Sequence, residues 1–100
     1  MTEKSYSLVL NEEQIKEITE MAKLFFPPSD IAINIGVDIE TFKIAILSET
    51  GEVFQAFKRG WLMGEIPLRK AIARAAENGS NPAQIKLLDL KKDSELTFEL

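Results

Sequence analysis

Neither cysteine nor histidine occurs in the 100 residues. The first absence excludes disulfides, thiolate zinc sites and cysteine nucleophiles. The second removes the side chain most often used for acid–base chemistry near neutral pH. No apolar run approaches the roughly 20 residues that span a bilayer. The opening Met1-Thr2-Glu3-Lys4-Ser5 lacks the basic and apolar regions of a signal peptide, so the expectation is a cytoplasmic protein with no membrane partner. No glycine-rich phosphate loop ends in Gly-Lys-Ser/Thr, and no serine sits in a nucleophile-elbow setting. These absences point away from an enzyme and call for no cofactor. Glu12, Glu13, Glu17 and Glu20 cluster at a spacing that can hold a metal, but carboxylates beside the positive end of a helix need no metal to account for them, and none is expected.

What is present is globular: 45% hydrophobic and 28% charged residues, in a length suited to one small domain with a modest core. The net charge of −4 is unevenly spread. Residues 1–57 hold four Lys/Arg and ten Asp/Glu, whereas residues 58–100 hold eight and six. The densest basic stretch is Lys58, Arg59, Arg69, Lys70 and Arg74, opposed only by Glu65. Phosphate binding would draw on it, although a solvated helix face has the same composition.

Periodicity predicts a mainly α chain. Asn11-Glu12-Glu13-Gln14 is a capping box, with Leu10 and Ile15 at the positions of a hydrophobic staple, and Ile15, Ile18, Ala22 and Phe25 continue at helical spacing until Pro27-Pro28. Ser29 is placed to cap a second helix through about Ile35, and Asp38 to cap a third with Ile39, Phe42, Ala45 and Ile46 inward. Thr50-Gly51 marks a break. A fourth helical region follows, about Glu52 to Glu77, with Phe54, Phe57, Trp61, Leu68, Ile72 and Ala75 in one stripe widened by Val53, Leu62 and Ile66. Pro67 predicts a kink or a junction of two helices there. Asn78-Gly79 stops it, and Asn81-Pro82-Ala83-Gln84 reads as a second capping box opening a fifth helix with Ala83, Leu87 and Leu90, beside Ile85 and Leu88. The runs Tyr6–Leu10 and Leu96–Leu100 read as possible short terminal strands. The expected organisation is a trihelical unit over residues 1–50 and a helical hairpin with a short tail over 51–100, within one compact domain.

The spacing around Gly36 is specific. Ala32 stands where a second helix must be small to approach a third, Gly36 follows four residues later, and Ile31, Ile35, Val37, Phe42 and Ala45 fall where burial is required. This resembles a helix-turn-helix. The outward residues of its third helix would be Asp38, Glu40, Thr41, Lys43 and Ile44, with one cation and no Arg, Asn or Gln for bidentate base contacts.

Downstream come Phe57-Lys58-Arg59-Gly60, then Leu68-Arg69 and Ile72, then Ala76, Gly79-Ser80, Pro82-Ala83 and Leu87-Leu88. In that order, and together with the helix-turn-helix pattern, residues 12–46 and 54–90 resemble bacteriophage terminase small subunits. The resemblance implies a non-catalytic DNA-packaging adaptor in the cytoplasm of a bacterial host. Such an adaptor assembles with itself, binds double-stranded viral DNA and serves the terminase large subunit. On that reading Thr41, Lys43, Lys58, Arg59, Arg69, Lys70 and Arg74 are the candidate DNA contacts, and Phe54, Phe57, Trp61 and Leu88 are core or subunit interface. Trp61-Leu62-Met63 point around their helix, so at least one is free to face a partner. Two other readings stay open: a dimeric helix-turn-helix transcriptional regulator, and a protein-interaction module without nucleic-acid binding, which the acidic N-terminal half favours.

Overall fold

The structure, a computed structural model, describes residues 8–96. Among these residues there are five helices and no strand: α1 (Glu12–Lys23), α2 (Pro28–Ile35), α3 (Ile39–Leu47), α4 (Gly51–Glu77) and α5 (Asn81–Leu96). Of the two terminal strands expected, residues 8–10 carry no regular structure, Leu96 closes α5, and the rest lies outside the described residues. The chain divides into two compact units between Gly64 and Glu65, inside α4 and well past the Thr50–Gly51 break.

In the first unit, α1 begins with the expected capping box. Asn11 Oδ1 accepts from the Gln14 amide at 2.7 Å, and Gln14 Oε1 accepts from the Asn11 amide at 3.0 Å. Gln14 Nε2 also donates to the Ile35 carbonyl at 3.0 Å, tying the start of α1 to the end of α2. The prolines do not end α1. The helix closes earlier, by the Phe25 amide to the Ala22 carbonyl and the Phe26 amide to the Met21 carbonyl, with Phe25 left-handed at φ 65°. That paired closure ordinarily takes glycine. Ser29 does not cap α2 either. Pro27 precedes the helix without a side-chain cap, and Pro28 supplies a first residue with preset φ and no amide left wanting.

The next two corners follow their residues. Gly36, at φ 78°, closes α2 through its own amide to Ile33 and the Val37 amide to Ala32. Asp38 Oδ2 then accepts from the Thr41 amide at 2.9 Å and the Thr41 hydroxyl at 2.8 Å, which starts α3. Ile18, Ala22, Ile31, Ala32 and Phe42 are sealed from water, with Val53 and Ala56 nearly so, and Ile15, Ile35, Val37, Ala45 and Phe57 pack partly buried around them.

The core-facing stripe of α4 differs from the aromatic stripe expected. Val53, Ala56 and Gly60 are the buried positions, while Phe54, Phe57 and Trp61 are only partly covered. The cause is a close helix crossing. A side chain at Gly60 would strike the Thr19 backbone carbonyl, and one at Gly64 would strike the Lys23 carbonyl and come within 3.1 Å of the Phe25 ring. Thr19 Oγ1 donates to the Ala56 carbonyl at 3.3 Å across the same seam. Residues 56, 60 and 64 are thus a small-residue ladder that lets α1 and α4 meet backbone to backbone.

In the second unit, α4 continues through Pro67 as one helix rather than two. Proline deletes one donor, and the helix formers Leu68-Arg69-Lys70-Ala71 keep the ladder intact beyond it. The chain reverses at Asn78–Ser80: Gly79, at φ 93°, donates to the Ala76 carbonyl and the Ser80 amide to the Ala75 carbonyl. Ser80, not Asn81, caps α5. Its carbonyl accepts from the Gln84 amide at 3.0 Å and its Oγ from the Ala83 amide at 3.3 Å. The cap therefore sits one residue earlier than expected, and Gln84 reaches not back to the cap but across to the Ala76 carbonyl at 3.0 Å.

Candidate nucleic-acid and subunit interfaces

Thr41 and Lys43 lie on α3. The Thr41 hydroxyl donates to Asp38 Oδ2 at 2.8 Å, within the cap that starts α3. Lys43 is exposed, with exposed Glu40 one turn before it and the exposed aliphatic side chains Ile44 and Leu47 beside it. The outward surface of α3 is therefore mixed acidic and aliphatic, as its composition leads one to expect.

Lys58 and Arg59 project from α4 in the first unit, both exposed and neither in an ion pair among the described residues. Lys58 Nζ stands 5.5 Å from the centroid of the Trp61 ring, a cation–π distance. Trp61 meets Phe25 edge to face, with centroids 5.9 Å apart and planes at 76°. Trp61 is partly covered rather than sealed, and Leu62 and Met63 beside it are exposed.

Arg69, Lys70 and Arg74 belong to the second unit and are not equivalent. Arg69 Nε donates to Glu65 Oε1 at 2.8 Å, one helical turn away, so its charge is locally answered. Lys70 and Arg74, also one turn apart, are exposed and make no ion pair among the described residues. The (i, i+4) spacing of Glu65 and Arg69, with the carboxylate N-terminal, is the sequence signal for this division.

Of the expected interface residues, Phe57 packs against the first unit's core, Phe54 is half-buried, and Leu88 is open. Leu88 lines an apolar groove of about 660 Å³ along the hairpin, with Leu87 and Leu90 from α5 and Ala76 from α4, and with Arg69 and Lys91 contributing cations. Ala76 is the one side chain of the hairpin that is buried among the described residues, so the apolar surface of α5 has no interior of its own to enter.

Among the described residues no group of three or more acidic side chains is arranged to hold a metal ion, and no helix is long and apolar enough to cross a membrane. Comparison with protein-family models, with curated proteins and with solved structures gives no match for this chain.

Proposed function

We propose that the chain is a non-catalytic, self-associating adaptor for double-stranded DNA, of the kind that the terminase small subunits represent. The α2–Gly36–α3 corner serves as its helix-turn-helix, and a terminase large subunit is its onward partner. One observation carries the DNA reading: Lys58, Arg59, Lys70 and Arg74 are exposed cations without carboxylate partners among the described residues, on a chain whose net charge is negative. Unpaired cations along a helix bind phosphate by counterion release, without base specificity. The uncovered groove beside Leu88 supports self-association, which multiplies weak contacts by avidity.

Anisotropy of a labelled duplex tests this directly. The wild type binds at low salt with a steep salt dependence. Lys70→Glu with Arg74→Glu weakens binding to all sequences and flattens the salt slope by roughly two units, about one for each phosphate no longer neutralised. Arg69→Glu acts less, since Glu65 already holds that guanidinium. Failure of the wild type to bind any duplex at low salt would reject the DNA reading.

A second reading is favoured by the surface of α3. Glu40, Ile44 and Leu47 suit a protein partner better than a phosphate backbone. It makes the chain a protein-interaction module and predicts that no basic-to-acidic substitution on α4 alters its binding.

A further inference from the structure

The hairpin reverses at Asn78-Gly79, and that dipeptide carries a reaction of its own. An asparagine side-chain amide is open to attack by the backbone nitrogen of the residue that follows. The attack is fastest before glycine, which has no side chain to shield its nitrogen and few restrictions on its backbone. The chain has four asparagines, and their surroundings separate them. Asn11 Oδ1 is bonded into the cap of α1. Asn34 Nδ2 donates to Glu17 Oε1 at 3.3 Å, and the branched Ile35 follows it. Asn81 precedes Pro82, whose nitrogen has no hydrogen to give up. Asn78 alone is followed by glycine, and both residues of the pair are exposed.

The folded turn restrains the reaction. The Gly79 nitrogen, which must attack, donates to the Ala76 carbonyl at 3.1 Å, and the Asn78 amide donates to the Arg74 carbonyl at 3.1 Å. A nitrogen held in this way reacts when the turn opens. The Ala76 carbonyl also accepts from Gln84 Nε2 at 3.0 Å, and the Ser80 amide donates to the Ala75 carbonyl at 3.0 Å. The last turn of α4 thus holds both the reactive nitrogen and the start of α5. Ala76 is the one buried side chain of that unit among the described residues, so little buried area resists the opening.

We propose that Asn78 is a site of self-modification: opening of the turn at residues 74–80 paces its deamidation, and the product releases α5 from α4. The Gly79 nitrogen bonds to the Asn78 side-chain carbonyl carbon, the carbon–nitrogen bond of the side-chain amide breaks, and ammonia leaves with the Gly79 proton. Water then opens the cyclic imide at either carbonyl. One opening leaves an aspartate side chain; the other routes the main chain through the former side chain as isoaspartate. An amide and a water go in, a carboxylic acid and an ammonia come out, and no oxidant or reductant is needed. Either product sets a new carboxylate beside Glu77 at the negative end of α4, which the helix dipole opposes. Isoaspartate also inserts a methylene into the main chain between the Ala75 and Ala76 carbonyls and the Ser80 and Gly79 amides that reach back to them. The turn and the Ser80 cap of α5 then no longer close together.

The test incubates the full chain in warm, mildly alkaline buffer and maps the products by mass spectrometry, with an isoaspartate-specific methyltransferase to tell the isomers apart. Asn78 should convert first, to both isomers, while Asn11, Asn34 and Asn81 persist. Conversion in denaturant should be roughly tenfold faster or more, and Gln84→Ala, which removes one hold on the turn, should speed it severalfold in the folded chain. Purified converted protein should show faster amide exchange along α5 with α1–α3 unchanged, whereas Asn78→Gln should exchange alike before and after incubation. Conversion led by another asparagine, equal rates in folded and denatured chain, or no acceleration in Gln84→Ala would each overturn the proposal. So would converted protein whose α5 exchanges like fresh protein, or faster α5 exchange in incubated Asn78→Gln.

Discussion

The two units use the same element, parts of one helix, in opposite ways. From residue 51 to 64, α4 shows its smallest residues to α1, and Gly60 lets a backbone carbonyl approach where any side chain would block it. From residue 65 onward the same helix meets α5, where Gln84 Nε2 donates to the Ala76 carbonyl, and Ala76 is the one buried side chain among the described residues of that unit. The first unit holds Ile18, Ile31 and Phe42 wholly out of water, whereas the second leaves Ile85, Leu87 and Leu88 exposed. Stability follows buried apolar area, so most of the folding energy of the described residues is held in the first unit. On the proposed reading, the first unit is the scaffold and the hairpin groove of the second is a contact surface.

The largest effect that would break this comparison is at Phe42. Removing its ring leaves a cavity in the sealed core, and Phe42→Ala should destabilise the first unit by about 3–5 kcal/mol. Denaturant unfolding followed by Trp61, the one tryptophan, reads that unit directly. Leu88→Ala, at a side chain 57% exposed, should leave the same midpoint within about 0.5 kcal/mol and instead reduce the mass in solution. Equal effects of the two substitutions on the Trp61 transition would mean that the units share one core.

Gly60→Ala comes next. The added methyl meets the Thr19 backbone, which has no flexible end to move aside, so α4 must shift off α1. Overpacking of this kind costs about 1–3 kcal/mol, against the gain of up to about 1 that Ala brings to an open helix. The net loss should appear as a lower midpoint by Trp61 fluorescence. A neutral or stabilising result would show that the α1–α4 crossing is looser than the ladder at 56, 60 and 64 implies.

Much of the fold is legible in the sequence, and the features that are not share a cause. The capping box at Asn11, the turn at Gly36, the cap at Asp38 and the stop at Asn78-Gly79 are local signals, each complete within a few residues. The burial of Ile31, Ala32 and Phe42 follows from spacing alone. Other features do not. The end of α1 rests on a left-handed Phe25, a choice that no propensity favours and that is fixed by the Trp61 ring and the space at Gly64. Spacing gives the inner stripe of α4 to aromatics because large apolar residues usually face inward, yet a backbone-to-backbone crossing requires the smallest ones. The recurrence Ala56, Gly60, Gly64 is the signal that points to it. For the candidate DNA contacts, composition locates the basic stretch, and the (i, i+4) spacing of Glu65 and Arg69 is the signal that sets that pair apart from Lys70 and Arg74, which make no ion pair among the described residues.

The smallest predicted effect tests how the second unit is started. Asn81 and Ser80 are both good capping residues, and proline follows Asn81, so sequence favours Asn81. In the structure the Ser80 carbonyl accepts the first helical bond and its Oγ takes the Ala83 amide, which places Asn81 inside α5. Ser80→Ala should therefore cost about 1 kcal/mol, seen as faster amide exchange along α5 with α1–α3 unchanged. Asn81→Ala should be neutral or slightly stabilising, because alanine is the better helix former at a position that makes no cap. The reverse ranking would move the start of α5 by one residue.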